Sequence, residues 1–172
     1  MRTLFTAFTL STFAMGVFAA EKAPNLTLRN LSGEKVKLTD YRGKIVVLNF
    51  WATWCGPCRE EMPMLVEAEK AWAGNGVAFI AISLDGDKTK AEISSFTARY
   101  HVGFPVWTGA SADELDKFRL GDGVPDTVFI DENGIIIGRV LGEIRRGELD
   151  ERLAWLTGGR KGEQPKTLVN HM

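Results

Sequence analysis

The sequence predicts an α/β sandwich with a mixed central sheet, and two observations carry that expectation. Apolar, β-branched runs alternate with segments of helical period through the middle of the chain, as strands joined by helical crossovers do. A strand pair around Asn133-Gly134 and an amphipathic segment then close the unit, so the sheet must be parallel in part and antiparallel in part. Length and composition agree: 172 residues, 45% hydrophobic and 25% charged, suit one domain with an ordinary core. The 21 basic and 22 acidic residues nearly cancel, and no basic run argues for nucleic acid.

Taken in order, residues 1–19 read as a secretory signal peptide. Arg2 supplies the positive start, Leu4 to Ala19 is apolar and uncharged, and Val17 and Ala19 suit cleavage before Ala20. The alternative is an uncleaved membrane anchor, for which the run is short against about 20 residues. Either way the chain is expected to be exported from the cytosol, to a compartment where thiols meet oxidants. The folded domain is expected over 22–157.

Its lead-in, "LTLRN" and "KVKLTDY", is a hairpin around Leu31-Ser32-Gly33-Glu34. "KIVVLNFW" (44–51) has the unbroken apolar character of a buried central strand. A helix follows from about Pro57 to Ala73, with Met62, Leu65, Val66 and Trp72 on one side and Pro63 inside it. "GVAFIAISL" (76–84) is a second buried strand, and 88–102 a helix with Ile93, Phe96 and Tyr100 inward. A short strand at 104–107 precedes a helix at 111–120, capped by Ser111 with Glu114. Residues 126–142 form a hairpin and 145–156 the closing helix. The polar, Gly-rich stretch 158–172 is expected to be a flexible tail.

Both cysteines of the chain, Cys55 and Cys58, lie in "FWATWCGPCREEMP". As a staple they would enclose only Gly56 and Pro57 and constrain almost nothing. As metal ligands they supply half a zinc site, and the two histidines, His101 and His171, lie far along the chain. As a redox pair they fit. Cys55 would sit at a helix N-terminus, where free N–H groups and the helix dipole favour a thiolate, and Cys58 one turn inside would resolve a mixed disulfide. Pro57 presets the first turn and Gly56 leaves the approach to Cys55 open.

W-C-G-P-C after an apolar strand, with Gly123-Val124-Pro125 ahead of a later strand, resembles the thioredoxin superfamily. The chain is most similar to the exported TlpA/ResA/DsbE-type reductases of bacteria, over most of residues 25–157. The resemblance implies a thioredoxin-like sandwich with an N-terminal β-hairpin extension and a central αβ insertion. It also implies a cis Val124–Pro125 bond facing the cysteines, where Val124 would pair with an extended substrate segment. Trp54, Gly56 and Pro57 would share in that substrate surface, while Trp51 and Trp107 read as core. Cytoplasmic thioredoxins carry a buried aspartate where this chain has Asn49, and asparagine cannot take a proton. Glu61, three residues after Cys58 on the same helical face, is then the candidate proton carrier, with a pKa expected to be raised by partial burial. Glu60 points elsewhere, to solvent. Asp126 departs from the threonine of many relatives and resembles the glutamate of cytochrome c maturation reductases.

These features predict an exported, monomeric thiol–disulfide oxidoreductase that needs no cofactor beyond the Cys55–Cys58 pair. It would reduce disulfides of envelope proteins, with apocytochrome c among the candidates, and be recharged by a membrane donor of the DsbD/CcdA kind. Three rival readings stand beside this one. A disulfide-donating oxidase or isomerase is opposed by Gly-Pro between the cysteines. A thiol peroxidase would want a threonine at position 52, where the chain has Ala52. A non-enzymatic copper chaperone would bind Cu(I) without exchanging disulfides.

Overall fold

The computed structural model describes residues 21–171; the signal-peptide expectation falls on residues 1–19, outside them. Eight strands form one sheet in the order β2-β1-β5-β4-β3-β6-β7-β8. The strands are β1 (Thr27–Asn30), β2 (Lys35–Lys37), β3 (Ile45–Trp51), β4 (Val77–Ser83), β5 (Val106–Thr108), β6 (Asp126–Ile130), β7 (Ile136–Leu141) and β8 (Leu168–Asn170). The helices are α1 (Gly56–Trp72), α2 (Ile93–Arg99), α3 (Ala112–Lys117) and α4 (Arg146–Thr157). Strands β3, β4 and β5 run parallel, while β6 is antiparallel to both of its neighbours, β3 and β7, so the sheet is mixed as expected.

The unbroken apolar run of β3 reflects burial on both faces, since all seven of its residues are buried. Its side chains alternate. Val46, Leu48 and Phe50 point into a layer shared with Ile80, Trp107, Phe118 and Val128. Val47 and Trp51 point into the layer under α1, α2 and α4, with Met62, Leu65, Phe96 and Leu153. By the same alternation Asn49 faces α1, a polar side chain inside an apolar layer. Trp51 and Trp107 are core residues, as expected, and Trp51 stacks 4.4 Å from Phe96.

Local signals held where they were strongest. Gly134 takes φ 76° in the β6–β7 turn, and Asp131 Oδ1 accepts from the N–H of Asn133 and Ile135. Ser111 and Glu114 form the capping box of α3. Pro63 lies inside α1 without ending it. The N-terminal hairpin docks on β5, which with α2 forms the central insertion.

The tail departs from expectation. Instead of a flexible segment over 158–172, the described part closes the sheet as β8, parallel to β7. Partners distant in sequence hold it. Arg152, 4% exposed, donates Nη1 to the Glu148 carbonyl and Nη2 to the Lys166 carbonyl, both at 2.9 Å. Arg139 N donates to Thr167 O at 2.8 Å, His171 N to Leu141 O at 2.8 Å, and Arg160 pairs with Asp131 at 2.8 Å. Polar composition signals disorder only when no buried partner awaits it, and here the partners lie in β7 and α4. Among the described residues no helix is long and apolar enough to cross a membrane.

Deleting residues 166–172 leaves the Arg152 guanidinium short of one acceptor and opens the edge of β7. Urea denaturation should show the truncated protein less stable by about 2 kcal/mol. An unchanged midpoint would mean that the strand adds nothing to the fold.

Candidate active site

The parallel pairing of β3 and β4 brings Cys55 to the C-terminal end of the sheet, where α/β folds place their sites. A buried clamp sets the loop before it. Asp85, following β4, accepts from Thr53 N at 3.0 Å, Thr53 Oγ1 at 2.5 Å and Ser83 Oγ at 2.8 Å. Nothing in the sequence near the cysteines points to Asp85, because its role depends on the β3–β4 register.

Cys55 is the N-cap of α1 and is joined to Cys58 as a disulfide. Its Sγ accepts from Cys58 N at 3.1 Å, using an amide that the first helical turn leaves unpaired. The same sulfur lies 3.4 Å from the Val124 carbonyl oxygen. In the disulfide this is a contact, since the sulfur carries no proton; once reduced, the thiol can donate there. The Val124–Pro125 bond is cis, as the resemblance implied. Cys58 is fully buried and Cys55 is 4% exposed. Pro57 and Trp54 are exposed beside them, Trp54 to 57%, and Gly56 and Val124 are half-buried.

Beneath the pair lies a buried polar cluster. Glu61, one turn beyond Cys58, is 2% exposed. Its Oε1 accepts from Asn49 Nδ2 at 2.7 Å and its Oε2 from Ile144 N at 3.0 Å. Asn49 Nδ2 also donates to Thr127 Oγ1 at 3.2 Å, while Asn49 Oδ1 is buried without a partner. Burial pushes the Glu61 carboxyl up to about 7 against the two donors, and repulsion from Glu143 and Asp126 adds to the rise. Glu61 is buried more deeply than its place on α1 alone suggested. Glu60 is exposed, as expected.

Asp126, fully buried at the start of β6, also stands high, at about 6. Burial raises it, against amide donors Gly142 N at 2.9 Å and Gly121 N at 3.1 Å. Sequence reasoning noticed it as a departure without a role. The fold makes it the second high-pKa carboxyl close enough to act on Glu61. The arrangement therefore offers a disulfide at a helix N-terminus, a backbone carbonyl against the outer sulfur, and a buried carboxyl that changes protonation near neutral pH.

The sequence model of the AhpC/TSA family matches residues 19–139. A thiol-disulfide oxidoreductase ResA of Bacillus cereus is 34% identical over 137 residues, covering 80% of this chain and 78% of that protein. The thioredoxin-like protein YneN of Bacillus subtilis (strain 168) is 34% identical over 146 residues, 84% of each. Among solved structures, a putative thiol:disulfide interchange protein DsbE from Chlorobium tepidum superposes with a TM-score of 0.70 at 28% identity. It covers 80% of this chain and 96% of that one. A secreted Mycobacterium tuberculosis disulfide oxidoreductase homologous to E. coli DsbE gives 0.66 at 27% identity, over 76% and 96%.

The sign of the pH dependence follows from the raised carboxyls. Between 4.5 and about 7 the folded protein holds the Glu61 proton that the unfolded chain releases, so stability falls as pH rises through that window. Asp126 acts likewise between 3.8 and about 6. The unfolding free energy of the oxidised protein should drop by about 4 kcal/mol from about pH 5 to about pH 8. In Glu61→Gln the fall should be confined to the lower part of that range. A flat profile in the unsubstituted protein would contradict the raised Glu61 carboxyl.

Proposed function

Since this chain belongs to the AhpC/TSA family and is a thiol–disulfide oxidoreductase of the thioredoxin-like ResA and DsbE type, we propose that it works as a reductant of disulfides in exported proteins. The observation that carries the direction is Glu61. A strongly oxidising pair draws its force from a stabilised thiolate in the reduced form. A buried carboxyl with a raised pKa one turn from Cys58 does the opposite, because its charge disfavours a thiolate nearby. Gly-Pro between the cysteines supports the same direction.

In the proposed reaction the reduced Cys55 thiolate attacks one sulfur of a partner disulfide, forming a mixed disulfide and releasing the other partner sulfur as a thiolate, which takes a proton from solvent. Glu61, as carboxylate, takes the Cys58 proton. Cys58 then attacks Cys55, the partner leaves fully reduced, and the protein returns to the disulfide form. Two electrons pass to the partner, and its second leaving sulfur takes the proton that Glu61 removed from Cys58. Asn49 Nδ2 steadies the Glu61 carboxylate. The Val124 carbonyl orients the Cys55 thiol, and with Trp54, Gly56 and Pro57 it forms the surface on which an extended partner segment lies.

The apolar segment Leu4 to Ala19 supports export to the periplasm, where the pair must be recharged by a membrane donor of the DsbD/CcdA kind. The tuberculosis relative is itself described as secreted. Asp126, resembling the acid of cytochrome c maturation reductases, favours apocytochrome c cysteines as the substrate.

Three measurements test this reading. The reduction potential should lie below about −200 mV; a value near −120 mV would place the pair among the oxidants. Glu61→Gln should lower the rate of disulfide reduction by about 10²-fold and remove an inflection near pH 7 from the rate profile. Cys58→Ser, expressed in its own envelope, should trap partners on Cys55, apocytochrome c among them; an empty trap would count against exchange with envelope proteins.

A further inference from the structure

Five cations gather at the end of the sheet that carries the cysteines. Strand register places Arg29 and Lys35 there, and Arg59, Lys90 and Arg99 reach it from the helical segments that follow β3 and β4. Trp51 pairs with Ser83, Ile82 with Trp107 and Thr108 with Arg29, so β3, β4, β5 and β1 share one edge. With strands about 4.8 Å apart, Arg29 stands about 15 Å from the end of β3.

Three cavities open along this edge. One of about 150 Å³ lies beside the loop that leads into Cys55 and is lined by Thr53, Arg59, Glu92, Ser95, Phe96 and Arg99. Two more, of about 130 and 250 Å³, share Arg29, Lys90 and Thr108, and the larger also holds Lys35. Among the described residues Glu92 is the only carboxylate lining any of them.

All five cations are exposed, and among the described residues none is ion-paired. Elsewhere Lys117, Arg119, Arg139, Arg146 and Arg160 each meet a carboxylate. Two of the five are nevertheless held in place. Arg59 Nη1 donates to the Thr53 carbonyl at 3.2 Å and Arg29 Nη1 to the Gly33 carbonyl at 2.6 Å, leaving the rest of each guanidinium to face an incoming group. Positioned arginines of this kind suit carboxylates.

We propose that this edge is a docking surface for a disulfide-bearing protein whose reactive cysteine is flanked by acidic residues. One carboxylate seats at Arg59 and Arg99 next to Cys55, and others at Lys90, Arg29 and Lys35. An extended chain advances about 3.3 Å per residue, so the acidic residues lie within about five positions of the partner's cysteine. The separate concave cavities fit single side chains better than a flat bilayer. The charge pattern would speed encounter and select among disulfides that Cys55 could otherwise attack equally. The proposal rests on the exchange reading given above.

The test uses the reduced full-length protein and three short peptides, each closed by one disulfide and flanked by glutamates, glutamines or lysines. At low salt the glutamate peptide should react about 10-fold faster than the glutamine peptide and the lysine peptide slower still. The gap should close to about twofold near 0.5 M salt. In a protein carrying Arg59→Gln, Arg99→Gln and Lys90→Gln the glutamate-to-glutamine ratio should fall close to one. Reading the ratio cancels any change in the intrinsic reactivity of Cys55. Equal rates for all three peptides, or a ratio untouched by the substitutions, would overturn the docking surface and leave exchange standing. Equal rates together with sedimentation on phosphatidylglycerol vesicles would assign the edge to a membrane instead. No exchange with any peptide would remove the exchange reading itself, and the proposal with it.

Discussion

Glu61 reaches its two hydrogen-bond donors across 12 and 83 residues of chain, and that pair of bonds constrains the upper half of the molecule. A carboxyl at 2% exposure is tolerated only if its oxygens are satisfied. Asn49 must therefore sit at an inward position of β3, and the β7–α4 loop must present Ile144 N. Thr127, which Asn49 also meets, sits opposite it in the β3–β6 register. A slip of one residue in β3 would turn Asn49 to the other face and strip the carboxyl of its partner, and a slip in β6 would take Thr127 from Asn49. The redox pair inherits this rigidity, because Cys58 and Glu61 share one buried face of α1.

The same burial sets the chemistry. In water a glutamate has given up its proton well below neutral pH. In this apolar layer, with Asp126 and Glu143 adding repulsion, the proton is held until about 7. The two donors keep the shift from growing larger, so the carboxyl is balanced near the pH at which thiols exchange. The mobile charge thus stays inside, beneath Cys58. The fixed charges stay outside, at Arg59, Arg99 and their neighbours.

Short-range features were legible because their physics is short-range. Asn133-Gly134 forms its turn, Ser111 and Glu114 cap their helix, and the run at 45–51 is a central strand, each for reasons contained within a few residues. The tail misled because its polar groups are answered by Arg152, Arg139 and Leu141, remote from it in the chain. Asp85 escaped notice for a similar reason, since its bond to Thr53 crosses from one strand end to the next.

By itself the sequence determined the sandwich and the cysteine pair at a helix start, while the search for an acid other than the residue at position 49 came from the family resemblance. Periodicity, spacing and residue type suffice for the first two, and neither requires knowing which strands are neighbours. The tertiary structure alone decided how deep Glu61 lies, that Asp126 stands near enough to raise it, and that residues 168–170 complete the sheet. It also decided that five cations scattered from Arg29 to Arg99 converge on one edge beside Cys55. Burial and electrostatic proximity are properties of distance in space, and only strand order and register convert sequence positions into distances.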